Sequence, residues 1–313
     1  MKKDVLGALV RWTGLGLGLR VLFARRRVTI VVYHDPEPAV LREHLAYYAR
    51  HYRFVTLDAV ADALDGGRWD ALPPYPLVVT FDDGHRGNAA LEELFRAYGV
   101  RPTIYLCSRI VGTRRPYWWL TPGARRLGAE TLKRLPDTER RQRLSEAGDD
   151  PDQEAAAPQA MGWEEVRRLA AHADFGAHTR THPILPQCND QTAEEEIALS
   201  RHELEEALEG KPCRHFAFPN GDYSARELAV LRRAGYRTAR TIEPGWNGPN
   251  ADPMRLKGFI VSDDAPVTWL AVQLTGLPTL LRAVRRALQR TGSRAGAGAV
   301  AAGAAVPPRP VDA

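Results

Sequence analysis

At 313 residues, the natural count is one large domain with terminal appendages. The net charge of +5 is unevenly placed: residues 1–30 carry +6 and residues 268–313 carry +5, so the body is −6 and implies no basic groove for nucleic acid. Cys107, Cys188 and Cys213 are an odd, widely spaced set without Cys-x-x-Cys spacing, which implies no disulfide scaffold and allows a reducing compartment.

Residues 1–27 read as a basic amphipathic segment. Leu6, Leu9, Val10, Trp12, Leu15, Leu19, Leu22 and Phe23 alternate with Lys2, Lys3, Arg11, Arg20 and Arg25–Arg27. Arg11 and Arg20 interrupt every apolar run, which disfavours both a spanning helix and a cleavable signal peptide. Peripheral contact with an anionic membrane suits this segment better. The body, 28–264, alternates strand-like and helix-like stretches. Strands are expected at Val28–Tyr33, Leu77–Phe81, Pro102–Leu106, Asp174–Ala177, Arg214–Phe218, Tyr236–Arg240 and Leu256–Val261. Helices are expected at Asn88–Tyr98, Trp163–Ala171, Thr192–Leu208 and Ser224–Ala234. The spacing predicts an α/β fold, a distorted and incomplete (β/α)7 barrel.

Residues 112–160 form an insertion that opens with Arg114-Arg115-Pro116-Tyr117-Trp118-Trp119. Trp118 and Trp119 are candidates for stacking on a sugar ring, or for anchoring the insertion to the barrel. Residues 265–290 read as an amphipathic helix, interfacial or packed on the barrel, and 291–313 as a disordered Ala/Gly/Pro-rich tail. The basic ends favour a cytoplasmic or inner-membrane-face location, with a secreted or cell-envelope one left open.

The chemistry concentrates at strand ends. Leu77 to Phe81 is a short, β-branched, uncharged run that closes on Asp82-Asp83-Gly84, placing two carboxylates at one mouth. Adjacent like charges are costly unless a cation or proton is shared, although Asp-Asp-Gly is also ordinary turn chemistry. His178-Thr179-Arg180-Thr181-His182 follows a Phe-Gly-Ala strand end and precedes Pro183, so its two rings must converge through loop geometry. Two histidines and one aspartate fill the protein ligand set of a catalytic zinc. Tyr33-His34 and His215-Phe216-Ala217-Phe218-Pro219-Asn220-Gly221 end two further strands on what would be the same rim.

Taken together, Thr80-Phe81-Asp82-Asp83-Gly84 and His178-Thr179-Arg180-Thr181-His182 resemble the first two motifs of the polysaccharide deacetylases, carbohydrate esterase family four, over roughly Val28 to Val261. Tyr33-His34 and Phe216 to Gly221 resemble the branch that contains poly-N-acetylglucosamine deacetylases. The resemblance implies that Asp83, His178 and His182 hold a divalent metal, most simply Zn2+. It implies Asp82 as general base and His34 as general acid, with the Asn220 backbone N–H, Pro219 and Tyr33 at the oxyanion and substrate pocket. The expected substrate is an N-acetylated glycan or glycolipid precursor, with N-acetyl removal as the reaction. Hydrolysis of O-acetyl esters or another amide, and a glycan-binding module without turnover, are the alternatives. Where many members carry an arginine to orient the base this chain has Phe216, so Arg255 and Lys257 are the nearest expected substitutes. His85 is expected to be structural or exposed, with a place in the pocket lining as the alternative.

Overall fold

The computed structural model describes residues 22–150 and 154–276. Residues 1–21 of the expected basic segment, the expected 265–290 helix beyond Gly276, and the 291–313 tail lie outside them.

The first strand, β1 (Thr29–Tyr33), and β3 (Pro76–Phe81) are buried along their whole length, as β-branched strands covered on both faces should be. Between them run α1 (Pro38–His51), the two-residue strand β2 (Arg53–Phe54) and α2 (Leu57–Asp65). Helix α3 (Glu92–Tyr98) leads to β4 (Thr103–Leu106). The insertion then contributes three short helices, α4 (Pro122–Leu127), α5 (Ala129–Leu132) and α6 (Asp137–Glu146). Beyond it come α7 (Trp163–Leu169), β5 (Asp174–Ala177), α8 (Asp190–Ala207), β6 (His215–Ala217), α9 (Ala225–Arg233) and β7 (Thr238–Arg240). Strand β8 (Phe259–Ile260) and α10 (Val267–Gln273) complete the described chain.

All strand pairings are parallel, in the order β7-β6-β5-β4-β3-β1-β8. The seven expected strands all form. Sequence reading missed β2, a short strand that pairs with the start of β3 while β4 pairs with its end. The expected Leu256–Val261 strand is divided: Leu256 touches β7 through a single bridge at Arg240, and only Phe259–Ile260 joins β1. The two ends of the sheet thus meet through one bridge, and the (β/α)7 barrel is distorted and incomplete as expected.

Two apolar layers follow from strand alternation. Ile30, Val78, Tyr105, Ala217 and Leu256 fill the barrel interior, with Leu57 and Val60 of α2 packed against them. Val31, Tyr33, Val79, Phe81, Ile104 and Phe216 face outward into the helices, meeting Leu41, Leu45, Phe95, Val166 and Ile197. Each such fully buried aliphatic or aromatic side chain contributes on the order of 1.5–3 kcal/mol. The interior has room for Tyr105 because Gly176 stands opposite: a Cβ there would lie 2.6 Å from the Tyr105 ring and 2.8 Å from the His215 carbonyl. Among the described residues, no helix is long and apolar enough to cross a membrane.

Candidate active site

Register brings the site together. Thr29 to Tyr33 pair one-to-one with Leu77 to Phe81, so the next residues, His34 and Asp82, leave the sheet side by side. The Asp82 N–H donates to the Tyr33 carbonyl at 2.9 Å, keeping that alignment past the last pair. Asp83 then takes φ of +70° and Gly84 +77°, a left-handed turn that reverses the chain and tucks both carboxylates inward. Asp82 and Asp83 are only 4% and 3% exposed.

Asp83 Oδ1 lies 3.3 Å from His178 Nε2 and 3.3 Å from His182 Nε2. The three donor atoms fall within 4.8 Å of one another, and all three residues are buried. His178 Nδ1 donates to the Ala217 carbonyl at 2.7 Å, which leaves the Nε2 lone pair turned toward Asp83. Asp83 Oδ1 is buried without a hydrogen-bond partner. A carboxylate oxygen buried between two imidazole nitrogens, with no hydrogen bond of its own, is what a cation completes. The oxygen and two nitrogens therefore fit a divalent metal.

Electrostatics agree with that set. Burial alone would raise the Asp83 carboxyl, but the surrounding imidazoles of His178, His85 and His182 outweigh it and hold it well below the usual range. Burial lowers His182 to about 3, keeping it neutral and able to donate a lone pair. For His178, burial is opposed and exceeded by Asp83 and Asp82, and its pKa is raised.

The loop carrying both histidines is bound on every side. Glu196 of α8, 4% exposed, accepts from the backbone N–H groups of Arg180 and Thr181 at 2.7 and 2.9 Å and from the Thr181 hydroxyl at 2.6 Å. The Thr179 hydroxyl accepts from the His182 N–H at 3.0 Å, and the Ser108 and Arg109 N–H groups donate to the Thr179 and Arg180 carbonyls. Thr179 and His182 sit at φ of +66° and +59°. With Asp83, and with Asn220 at +56° in the turn after β6, backbone strain gathers on this rim, at roughly 1–3 kcal/mol per residue.

The cation on Asp82 is Arg240, at the end of β7. Its Nη2 donates to both carboxylate oxygens at 2.5 Å, and the side chain is completely buried above the interior ring of Tyr105, 5.4 Å from the guanidinium. This corrects the expectation for Arg255 and Lys257. Arg255 is half exposed and bound to Asp252 at 2.8 Å, and the Lys257 side chain passes over Gly245. The place of Phe216 is explained by the same alternation: it faces the outer core, where no residue could reach Asp82.

Tyr33 also differs from expectation. It belongs to the outward face of β1, fully buried, with its hydroxyl bonded to His44 Nδ1 and Tyr48 at 2.9 and 2.7 Å, so it does not line the substrate pocket. His34 stands on the rim, half-buried, its backbone N–H bound to Asp263 and its carbonyl to Asn88. Pro219 is buried and Asn220 half-exposed in the turn after β6. His85, expected to be structural or exposed, is neither remote nor open: its Nε2 lies 3.1 Å from Asp83 Oδ2. Its pKa is raised, since Asp83 outweighs the opposing effect of burial.

The insertion walls the cluster. Tyr117 donates its hydroxyl to the Asp83 carbonyl at 3.0 Å and packs on the His85 ring, and Trp119 lies 4.2 Å from the His182 ring. Trp118 donates Nε1 to the His182 carbonyl at 2.9 Å and packs within the insertion's own small core of Ala124, Leu132 and Leu144. Of the two tryptophans, Trp118 anchors and Trp119 flanks the cluster.

The fold resembles solved deacetylases. The Streptococcus pyogenes deacetylase PplD in complex with acetate matches with a TM-score of 0.57 at 17% identity, covering 78% of this chain and 96% of that one. IcaB from Ammonifex degensii matches with a TM-score of 0.57 at 20% identity, covering 80% and 96%. The de-N-acetylase from Aggregatibacter actinomycetemcomitans matches with a TM-score of 0.57 at 14% identity, covering 79% and 99%. No curated protein matches the chain by sequence. The polysaccharide deacetylase family profile matches residues 71–239, more than half of the chain and both motif loops. The chain therefore belongs to the polysaccharide deacetylase family, as a hydrolase of carbon–nitrogen amide bonds in sugars.

Proposed function

We propose that the protein removes N-acetyl groups from an amino-sugar glycan or glycolipid precursor, with a zinc ion held by Asp83, His178 and His182. The observation that carries this reading is the division of the aspartate pair: Asp83 faces the imidazoles, while Asp82 faces Arg240. When bound, the metal supplies Lewis acidity to the acetyl carbonyl and brings a water's pKa down to about 7.

The chain's own residues do the rest. Asp82 takes a proton from the attacking water, and Arg240 fixes the direction in which its carboxylate points. The Asn220 backbone N–H donates to the oxyanion that forms on the carbonyl. The carbon–nitrogen bond breaks as His34 gives a proton to the departing amine, which is a poor leaving group until protonated. Tyr117 and Trp119 shield the cluster from bulk water on the insertion side. Arg240 removes the reason for reading the domain as a binding module without turnover, namely the lack of a cation for the base.

Likeness in fold to IcaB supports placing the substrate near the poly-N-acetylglucosamine branch. The +6 and +5 ends support work at an anionic membrane surface, tested by co-sedimentation with vesicles of acidic against neutral lipid. The direct test of function is acetate release from N-acetylglucosamine oligomers. Chelator and Asp82→Ala should each abolish release; chelator-insensitive turnover, or full activity in Asp82→Ala, would refute the mechanism.

A further inference from the structure

We propose that Asp263 is a positioning residue for the proton donor: its carboxylate holds the backbone of His34 so that the imidazole meets the departing amine. This rests on the deacetylase reading above, in which His34 is the general acid, and adds a residue to it. Ser262-Asp263-Asp264-Ala265 lies just past the Val28–Val261 span of the family resemblance, which gives Asp263 no role.

The carboxylate grips two consecutive N–H groups. Its Oδ1 accepts from His34 at 3.1 Å and its Oδ2 from Asp35 at 3.0 Å. One anion reaches two successive N–H groups only where the chain turns, because along an extended strand they point to opposite sides. The two bonds therefore fix the corner at which the chain leaves β1. Both are charge-assisted, and a group with two acceptor oxygens and no donor satisfies both N–H groups at once.

The other side of the corner is held by the loop after Asp83. Asn88, completely buried, donates Nδ2 to the His34 carbonyl at 2.8 Å and its own N–H to the His85 carbonyl at 3.0 Å. Gly87 leaves room for the Asp35 side chain, since a Cβ there would lie 2.1 Å from Asp35 Oδ1. With its N–H held by Asp263 and its carbonyl by Asn88, His34 keeps freedom only in its side-chain torsions.

Asp263 is itself placed by the barrel. The Val261 N–H donates to the Val32 carbonyl at 2.9 Å, which keeps the chain after β8 in step with β1. The Ala265 N–H closes the turn on the Ser262 carbonyl at 3.0 Å, and His44 Nε2 bonds the Ala265 carbonyl at 2.7 Å. None of these bonds uses the Asp263 side chain, so exchanging its carboxylate leaves the turn in place.

The test sets a leaving group that needs a proton against one that does not. The amine of N-acetylglucosamine oligomers must be protonated to depart, whereas 4-nitrophenolate leaves 4-nitrophenyl acetate unaided. Asp263→Asn is isosteric but offers one acceptor oxygen for two N–H groups. In the metal-loaded full chain it should lower kcat on the oligomers by about 10²-fold with KM little changed, the loss that an ångström of misplacement costs. On the aryl acetate the loss should be at least about tenfold smaller. Added to His34→Ala, it should cost less than about twofold more, since Asp263 then has no acid to place. Unchanged metal content and denaturant midpoint check the fold, and Asp263→Ser, whose hydroxyl cannot span both N–H groups, should give the same split between substrates. Equal losses on the two substrates in whichever variant folds, or a full loss on top of His34→Ala, overturn the assignment. Failure of the wild type to release acetate from the oligomers would instead refute the deacetylase reading. Asp263 is then decided on ethyl against 4-nitrophenyl acetate, because an alkoxide also needs a proton to leave.

Discussion

At the residue scale, the proposed base and its cation form the most exposed test of the proposed mechanism. Asp82 and Arg240 are 158 positions apart, and both are buried with their charges paired. Breaking a buried pair leaves an uncompensated charge, at a cost of about 3–5 kcal/mol. It also frees the carboxylate to rotate away from the attacking water, and misplacement by an ångström can cost about 10²-fold in rate. Arg240→Ala should therefore lower kcat by about 10²-fold with a smaller change in KM, and lower the melting temperature. Arg240→Lys keeps the charge but loses the planar fork, and should recover stability more than rate. Equal kcat in wild type and Arg240→Ala would remove Arg240 from the mechanism.

The same scale shows what the sequence could carry. Asp82, Asp83, His178 and His182 were legible because each cluster is contiguous and ends an apolar run. Arg240 was not, although the strand that it ends was expected, because one arginine after Arg237-Thr238-Ala239 has no local pattern that separates it from a surface charge. Tyr33 was placed at the pocket by resemblance alone, and nothing in its own strand could correct that, since in a strand buried on both faces hydrophobicity does not distinguish inside from outside. Only the register did.

At the element scale, the second-motif loop depends on a helix that shares no motif with it. Helix α8 begins with Asn189 as its cap, the side chain accepting from the Thr192 N–H at 2.8 Å, and so presents Glu196 to the loop two turns later. Three donors of the loop converge on that carboxylate. Partners that orient ligand-bearing groups typically affect metal affinity by about 10–100-fold. Glu196→Ala should weaken zinc binding by that range in a metal titration, while Glu196→Gln, which retains an acceptor oxygen, should recover part of it. Zinc affinity unchanged in Glu196→Ala would show that the remaining bonds to Thr179, Ser108 and Arg109 hold the loop alone.

Strand packing makes a second prediction at this scale. Gly176 on β5 gives its space to Tyr105 of β4, in register opposite it. A methyl group 2.6 Å from the Tyr105 ring and 2.8 Å from the His215 carbonyl must displace a core aromatic or a strand backbone. Overpacking of this kind costs about 1–3 kcal/mol. Gly176→Ala should lower the denaturant midpoint accordingly, and Tyr105→Phe should not rescue it, since the clash is with ring carbons and not with the hydroxyl.

At the scale of the whole molecule, the barrel is joined to its last described helix through a buried histidine. His44 of α1 donates Nε2–H to the Ala265 carbonyl at 2.7 Å, ahead of α10. Its Nδ1 accepts from the Tyr33 hydroxyl, which in turn accepts from Tyr48. With His44 neutral, Nδ1 is the acceptor that the Tyr33 hydroxyl needs in this arrangement, and a second proton there would force the Tyr33–Tyr48 bond to reverse. Burial accordingly lowers the His44 pKa, more than the Ala265 carbonyl and the charges of Glu43 and Asp263 raise it. The unfolded chain then binds more protons than the folded one below about pH 6.5, so stability rises with pH there. The contribution is complete above the unfolded value of about 6.5 and is lost as pH falls from there through the lower folded value. His182, lowered to about 3, adds loss in the same direction, while His178 and His85, both raised, oppose it, so the whole-chain curve mixes four histidines. The difference between wild type and His44→Gln isolates one of them: glutamine keeps an N–H for Ala265 and an oxygen for Tyr33 but has no proton to gain. Measured by denaturant unfolding between pH 7.5 and pH 5, wild type should lose more stability than His44→Gln, and the gap between them should narrow steadily below pH 6.5. Parallel curves would mean that His44 titrates alike in the folded and unfolded chain, and a gap that widens as pH falls would mean that it is protonated in the folded state, with the tyrosine chain running the other way.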